Sequence, residues 1–146
     1  MGCDLHLEPV EDDLSYVVEL LARNDLPTED VEQTSARFFR VILDEEAVGI
    51  GGIEPCGDVG LLRSVVIDEP YRGNGYGTMV CANLEERAAE QGLRALYLLT
   101  TTATPFFRDS GYRRIDRGTA PAQIKATNEF SEYCPTSATC LMKSLE

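Results

Sequence analysis

The chain of 146 residues contains no tryptophan, a single histidine (His6) and only two lysines, Lys125 and Lys143. A lone histidine near the start of the chain offers neither a histidine-rich metal centre nor a catalytic histidine pair, so no metal site is expected. The five cysteines (Cys3, Cys56, Cys81, Cys134 and Cys140) are an odd number without a C-x-x-C pair. That pattern excludes a disulfide framework and a zinc module and fits reduced, packed thiols. No run of about 18 apolar residues occurs, and residues 1–6 have neither a basic head nor an apolar stretch. The expectation is a soluble cytoplasmic chain without a membrane partner. Basic residues are also scarce, 13 Lys+Arg against 25 Asp+Glu, for a net charge of −12. A field of that sign repels a phosphate backbone, which excludes nucleic acid as a partner. Abundant carboxylate with little lysine suits a salt-loaded, halophilic cytoplasm, and an ordinary acidic cytosolic protein shares the same balance.

No repeat, low-complexity tract or linker interrupts the chain, so residues 1–146 are read as a single domain. Residues 5–9 predict a first strand. Asp12 or Asp13 then caps a helix with apolar positions Leu14, Val17, Val18, Leu20 and Leu21, and a second helix follows Pro27-Thr28-Glu29-Asp30. Residues 38–43 and 47–53 read as an antiparallel hairpin around the acidic turn Asp44-Glu45-Glu46, and Gly49, Gly51 and Gly52 mark a strand crowded by another backbone. After a turn at Pro55-Cys56-Gly57-Asp58, residues 59–67 are apolar on both faces except at Arg63 and Ser64, which predicts a central buried strand. A helix over residues 76–91 closed by Gly92, a strand over 93–100, a short helix over 104–110 stopped by Gly111 and a strand over 112–115 come next. A last helix around residues 122–133 and a strand over 138–145 complete a mixed α/β sheet.

The chemistry centres on Arg72-Gly73-Asn74-Gly75-Tyr76-Gly77, where a buried strand runs through a glycine-rich loop into a helix. Helix-start amides and the helix dipole favour anions there, and glycine lets phosphate oxygens approach the backbone closely. A Walker loop needs Lys-Ser/Thr after its last glycine, whereas Thr78-Met79 follows here. A dinucleotide fold needs G-x-G-x-x-G after the first strand, and this loop lies in mid-chain. A helix-capping turn without a ligand is the bland alternative.

The spacing matches the Arg/Gln-x-x-Gly-x-Gly/Ala signature of the GCN5-related N-acetyltransferases, and Val65-Val66-Ile67-Asp68-Glu69-Pro70-Tyr71 resembles the strand that leads into it. The resemblance implies that family's fold, a single mixed, mostly antiparallel sheet with helices on both faces and the cofactor loop between the fourth strand and the third helix. It implies acetyl-coenzyme A as cosubstrate. The loop amides of residues 72–77 would hold the pyrophosphate, the backbone of Val65 and Ile67 the pantetheine, and an N–H near Val66 or Ile67 the thioester carbonyl. More narrowly, residues 96–107, then Gly111-Tyr112, Glu129-Phe130 and Cys134-Pro135, resemble arsenic-resistance N-acetyltransferases of the second type. Many members of the larger family carry a tyrosine four residues before this glycine to protonate the departing thiolate; here that position is Phe107, which cannot, so the acid is unassigned.

The reaction implied is acetyl transfer to a primary amine of a small, amino-acid-like molecule, by a monomer or homodimer. The alternatives are peptide or protein amines, or a non-catalytic acyl-coenzyme A sensor. For the base, Glu54 after the third strand, acting through water, is preferred to the turn carboxylates Asp58 and Asp68. Arg63, inside an apolar strand, demands a bidentate partner: a substrate carboxylate or an internal one. Phe106 and Phe107 wall the pantetheine channel or join the core. Cys134 and Cys140 are packing residues unless they converge on a thiophilic ligand such as trivalent arsenic.

Overall fold

The computed structural model describes residues 5–10, 14–24, 37–71, 73, 75–100, 104–127 and 138–145, without the side chains of Ser64 and Glu69. The helix expected after Pro27 and the distal half of the last expected helix lie outside these residues. Those described form strands β1 (Leu5–Pro9), β2 (Arg37–Leu43), β3 (Glu46–Cys56), β4 (Val59–Ile67), β5 (Ala95–Thr100), β6 (Arg113–Ile115) and β7 (Thr139–Ser144). The helices are α1 (Ser15–Arg23), α2 (Tyr76–Glu90), α3 (Thr104–Asp109) and α4 (Ala122–Lys125). The strands make one sheet in the order β1-β2-β3-β4-β5-β7-β6. Every pairing is antiparallel except β4 with β5. The expected mixed, mostly antiparallel sheet with helices on both faces is what forms.

Local chemistry explains most boundaries. Asp44 and Glu45 adopt φ of 49° and 75°, and Leu43 pairs with Glu46 across them. This is the two-residue turn whose twist suits a hairpin. The following turn is shorter than its composition implies: Pro55 and Cys56 stay in β3, paired with Gly60 and Val59, and only Gly57 and Asp58 turn. Proline is tolerated there because the ladder is ending. In α1, Val17, Leu20 and Leu21 recur at helical spacing and are buried, while the side-chain amide of Asn24 donates to the carbonyl of Leu20 at 2.8 Å and closes the end. Beyond α2, Gly92 takes φ of 86° and Leu93 N–H donates to Ala88 O at 3.0 Å, a left-handed C-terminal cap.

The core lies on both faces of the sheet. Val80, Cys81, Leu84 and Ala88 of α2 pack on Val41, Ile53, Leu62, Leu96, Leu98 and Leu141. On the opposite face α1 covers Phe38, Ile50 and Val66, and Ile124 of α4 covers Leu61 and Cys140. Each fully buried Leu, Ile or Val contributes about 1.5–3 kcal/mol. Among the described residues no helix is long and apolar enough to cross a membrane.

A bulge re-aims β4. Gly52 pairs with Arg63 and Ile50 with Val66, so Ser64 and Val65 together oppose Gly51. One residue is absorbed, and the alternation changes phase. Leu61 and Val66 therefore face α4 and α1 respectively, on one side, while Val65 and Ile67 pack on the α2 side. The glycines of β3 accommodate this close approach: a Cβ on Gly49 would stand 2.5 Å from the carbonyl oxygen of Val66. Gly49→Ala is therefore expected to cost about 1–3 kcal/mol, read as a lower urea midpoint; an unchanged midpoint would contradict this packing.

Candidate active site

The pairing of β4 with β5 is confined to Gly60–Leu96 and Leu61–Tyr97. Beyond Leu61, β4 keeps β3 on one side, whereas β5 continues to Thr100 paired with β7. The sheet therefore parts along the second half of β4. Val66 O faces Gly49 and Asp68 N–H donates to Val48 O at 2.8 Å. By strand alternation, the N–H and C=O of the intervening Ile67 are directed to the parted side.

The parted strand leads into the glycine-rich segment. Gly73 and Gly75 have φ of 83° and 80°, left-handed values that glycine adopts without strain. Around the Cβ position of each there is nothing within 4 Å among the described residues. Gly75 is the N-cap of α2, whose first turn carries no acidic residue. Helix geometry leaves first-turn amides such as those of Gly77 and Thr78 without intrahelical acceptors, at the positive end of the dipole. Gly77 has a second role, since a Cβ there would stand 3.2 Å from the Phe106 ring. Arg72 and Asn74 lie outside the described residues, while Tyr76 and Phe106 pack against the α2-side core. Open backbone, positive dipole and a parted strand fit a phosphorylated, elongated ligand.

On the α1 and α4 face, Arg63 lies between two apolar clusters. Its side chain is 2% exposed and contacts Glu54, 13% exposed, through Nη1 and Oε1 at 3.5 Å. Its guanidinium also lies 5.8 Å from the centre of the Phe38 ring. The two polar residues singled out in the sequence thus meet, across the β3–β4 hairpin and two to three residues from Val65 and Val66. Asp58 instead contacts Arg94 at 3.7 Å, and Asp68 contacts Arg23 at 3.2 Å. Asp68 thereby ties the end of α1 to the exit of β4. Cys140 is 1% exposed, and Cys134 lies outside the described residues. Phe107 is buried in the core and packs edge-on against Phe106 and Tyr112, with ring centres 5.0 and 5.6 Å apart.

Sequence reasoning missed Tyr16. Its hydroxyl is enclosed without a hydrogen-bond partner among the described residues, and its ring packs with the α1 cluster that includes Val66. Burial, then the Asp68 carboxylate, raise its pKa, so the phenol keeps its proton through the neutral range. No local signal marks it, because the approach of α1 to the exit of β4 is a tertiary contact.

Solved structures of acetyltransferases share this sheet, which among the described residues has seven strands. An acetyltransferase of the GNAT family from Staphylococcus aureus Mu50 superposes with a TM-score of 0.74 at 17% identity, covering 97% of this chain and 99% of that one. N-acetylglutamate synthase from Neisseria gonorrhoeae, complexed with coenzyme A and N-acetyl-glutamate, gives 0.79 at 15% identity over 100% of this chain and 36% of that one. At these identities the likeness establishes the fold. The chain belongs to the acetyltransferase (GNAT) family, whose model matches residues 6–112. The amino-acid acetyltransferase of Ectopseudomonas mendocina (strain ymp) is 38% identical over 55 residues, 38% of this chain. The match spans 13% of that relative's length.

Burial pushes the Cys81 thiol up to about 12, and those of Cys56 and Cys140 up to about 11. The folded thiols stay protonated where those of the unfolded chain ionise, near 9, so the unfolded state binds fewer protons in that window. Stability should therefore fall as pH rises from about 9 towards 11, seen as a declining thermal midpoint. A midpoint that holds steady across this window would contradict the burial of these thiols.

Proposed function

We propose that this chain is an N-acetyltransferase that moves an acetyl group from acetyl-coenzyme A to the primary amine of a small amino-acid-like acceptor. The observation that carries the reading is the parting of β4 from β5 immediately before the glycine-rich start of α2. Acetyl-coenzyme A supplies the acetyl group as a thioester, whose carbonyl carbon is the electrophile. The amides of Gly73, Gly75, Tyr76 and Gly77 receive the pyrophosphate, with Arg72 and Asn74 completing the loop. The backbone of Val65 and Ile67 lines the pantetheine, and the direction of Ile67 N–H favours it over Val66 as donor to the carbonyl oxygen. Phe107 lends apolar support beneath Phe106 and gives no proton.

The acceptor approaches on the α1 and α4 face, where Arg63 and Glu54 offer a cation and a carboxylate. An amino acid carries the complementary pair. The relative named above is an amino-acid acetyltransferase, and the structure from N. gonorrhoeae contains N-acetyl-glutamate, which supports the same class of acceptor. The narrower resemblance to arsenic-resistance acetyltransferases adds context and carries no part of this acceptor assignment. Glu54 takes a proton from the acceptor ammonium through water. Once the C–N bond has formed and the C–S bond breaks, the second amine proton goes to the departing thiolate, so no dedicated acid is needed. Holding amine and carbonyl together supplies several kcal/mol of the rate enhancement.

The reading is tested by calorimetric titration with acetyl-coenzyme A at low and at molar salt, followed by free-thiol release with the standard amino acids, L-glutamate first. Binding with amine-dependent thiol release is expected. Gly75→Ala, which forces a side chain into a left-handed conformation where phosphate would approach, should weaken acetyl-coenzyme A binding about tenfold or more. Binding without turnover on any amine would favour a sensor, and no binding would overturn the proposal.

A further inference from the structure

Arg63 and Glu54 are in contact, yet the reading above asks the first to hold an acceptor and the second to take a proton. Both demands are met if the contact is exchanged rather than permanent. A guanidinium that is 2% exposed cannot be left without an anion, because an uncompensated buried charge costs several kcal/mol. It can trade one carboxylate for another at little cost, since the chemistry and geometry of the bond are the same. Glu54 is the more exposed partner, 13% against 2%. The Phe38 ring, 5.8 Å from the guanidinium carbon, holds Arg63 in place from its own strand through any such exchange. The bulge at Ser64 and Val65 then sets the parted half of β4 directly beyond Arg63.

We propose that Arg63 changes carboxylates during turnover: the α-carboxylate of the acceptor takes the guanidinium from Glu54, and the released Glu54 becomes the base for the acceptor's own ammonium. This inference rests on the proposed acetyl transfer to an amino acid. Before an acceptor binds, the Glu54 carboxylate is held against Arg63. When the acceptor carboxylate replaces it, Glu54 is a free carboxylate beside a cationic amine. The proton passes from nitrogen to Glu54 through water, the amine lone pair attacks the thioester carbonyl, the C–N bond forms and the C–S bond breaks. The second nitrogen proton goes to the thiolate, and Glu54 returns its proton to solvent when the product leaves and Arg63 is regained. Substrate recognition and base generation are thereby one event, and an amine without a carboxylate is acetylated slowly.

The test compares wild type, Glu54→Gln and Glu54→Asp with L-glutamate, or whichever standard amino acid the wild type uses best, and with the α-carboxamide of that amino acid. With the amino acid, Glu54→Gln should lower kcat about 100-fold and also lower KM, because the Glu54 carboxylate no longer competes for Arg63. With the carboxamide the wild type should already be slow, and the loss in Glu54→Gln should be about tenfold smaller than with the amino acid. Glu54→Asp keeps a charge for Arg63 and preserves folding if the amide variant does not. Its shorter reach should cut kcat with the amino acid by more than with the carboxamide. Equal loss with both acceptors, or a raised KM in Glu54→Gln, would overturn the exchange while leaving the acetyltransferase reading intact. A wild type that releases no thiol with any amine would overturn both.

Discussion

The parting of β4 from β5 is the constraint on which the rest of the molecule depends. Two parallel pairs hold the strands together at Gly60 and Leu61. Past that point β4 keeps β3 alone as its paired neighbour among the described strands. The surrounding structure is organised to sustain it. The bulge at Ser64 and Val65 twists β4 away, the glycines of β3 allow its carbonyls to come close, and the two halves of the sheet are covered separately. Helix α1 covers one half and α4 the other on one face, while α2 bridges both on the opposite face.

Charge is used sparingly within this frame. A chain with a net charge of −12 offers little long-range attraction to a phosphorylated cosubstrate, so the backbone amides and dipole at the start of α2 are the local source of positive potential. Half-buried ions occur where they pin elements. Lys143 joins Glu85 at 2.8 Å and Ser110 O at 2.9 Å, which ties α2, the end of α3 and β7 together. Arg87 donates to Leu7 O at 3.0 Å and lies 4.9 Å from the Phe39 ring centre, fixing α2 to the outer strands. The Arg63–Glu54 pair is placed differently, at the boundary of two clusters and next to the parted strand. That location is the one the proposed exchange of carboxylates uses.

Much of this was legible in the sequence because the signals are local. The β2–β3 hairpin, the span of β4, the glycine stop after α2 and the strand–loop–helix sequence each follow from periodicity and turn chemistry within about 15 residues. What was not legible depends on the partner strand. The bulge has no residue signature of its own, and it decides which side Val65, Val66 and Ile67 face. The persistence of β3 through Pro55 and Cys56 depends on β4 remaining alongside. The meeting of Arg63 with Glu54 was one of two alternatives that composition left open. Tyr16 became visible only when α1 was set against the exit of β4.

The most direct test of the account is amide hydrogen exchange along β4 and the first turn of α2, with and without acetyl-coenzyme A. The account predicts slower exchange on binding at Val65 to Ile67 and at Gly77 and Thr78, with β1 and β2 unchanged. Binding that leaves those amides unaltered, or that protects a different face of the sheet, would contradict it.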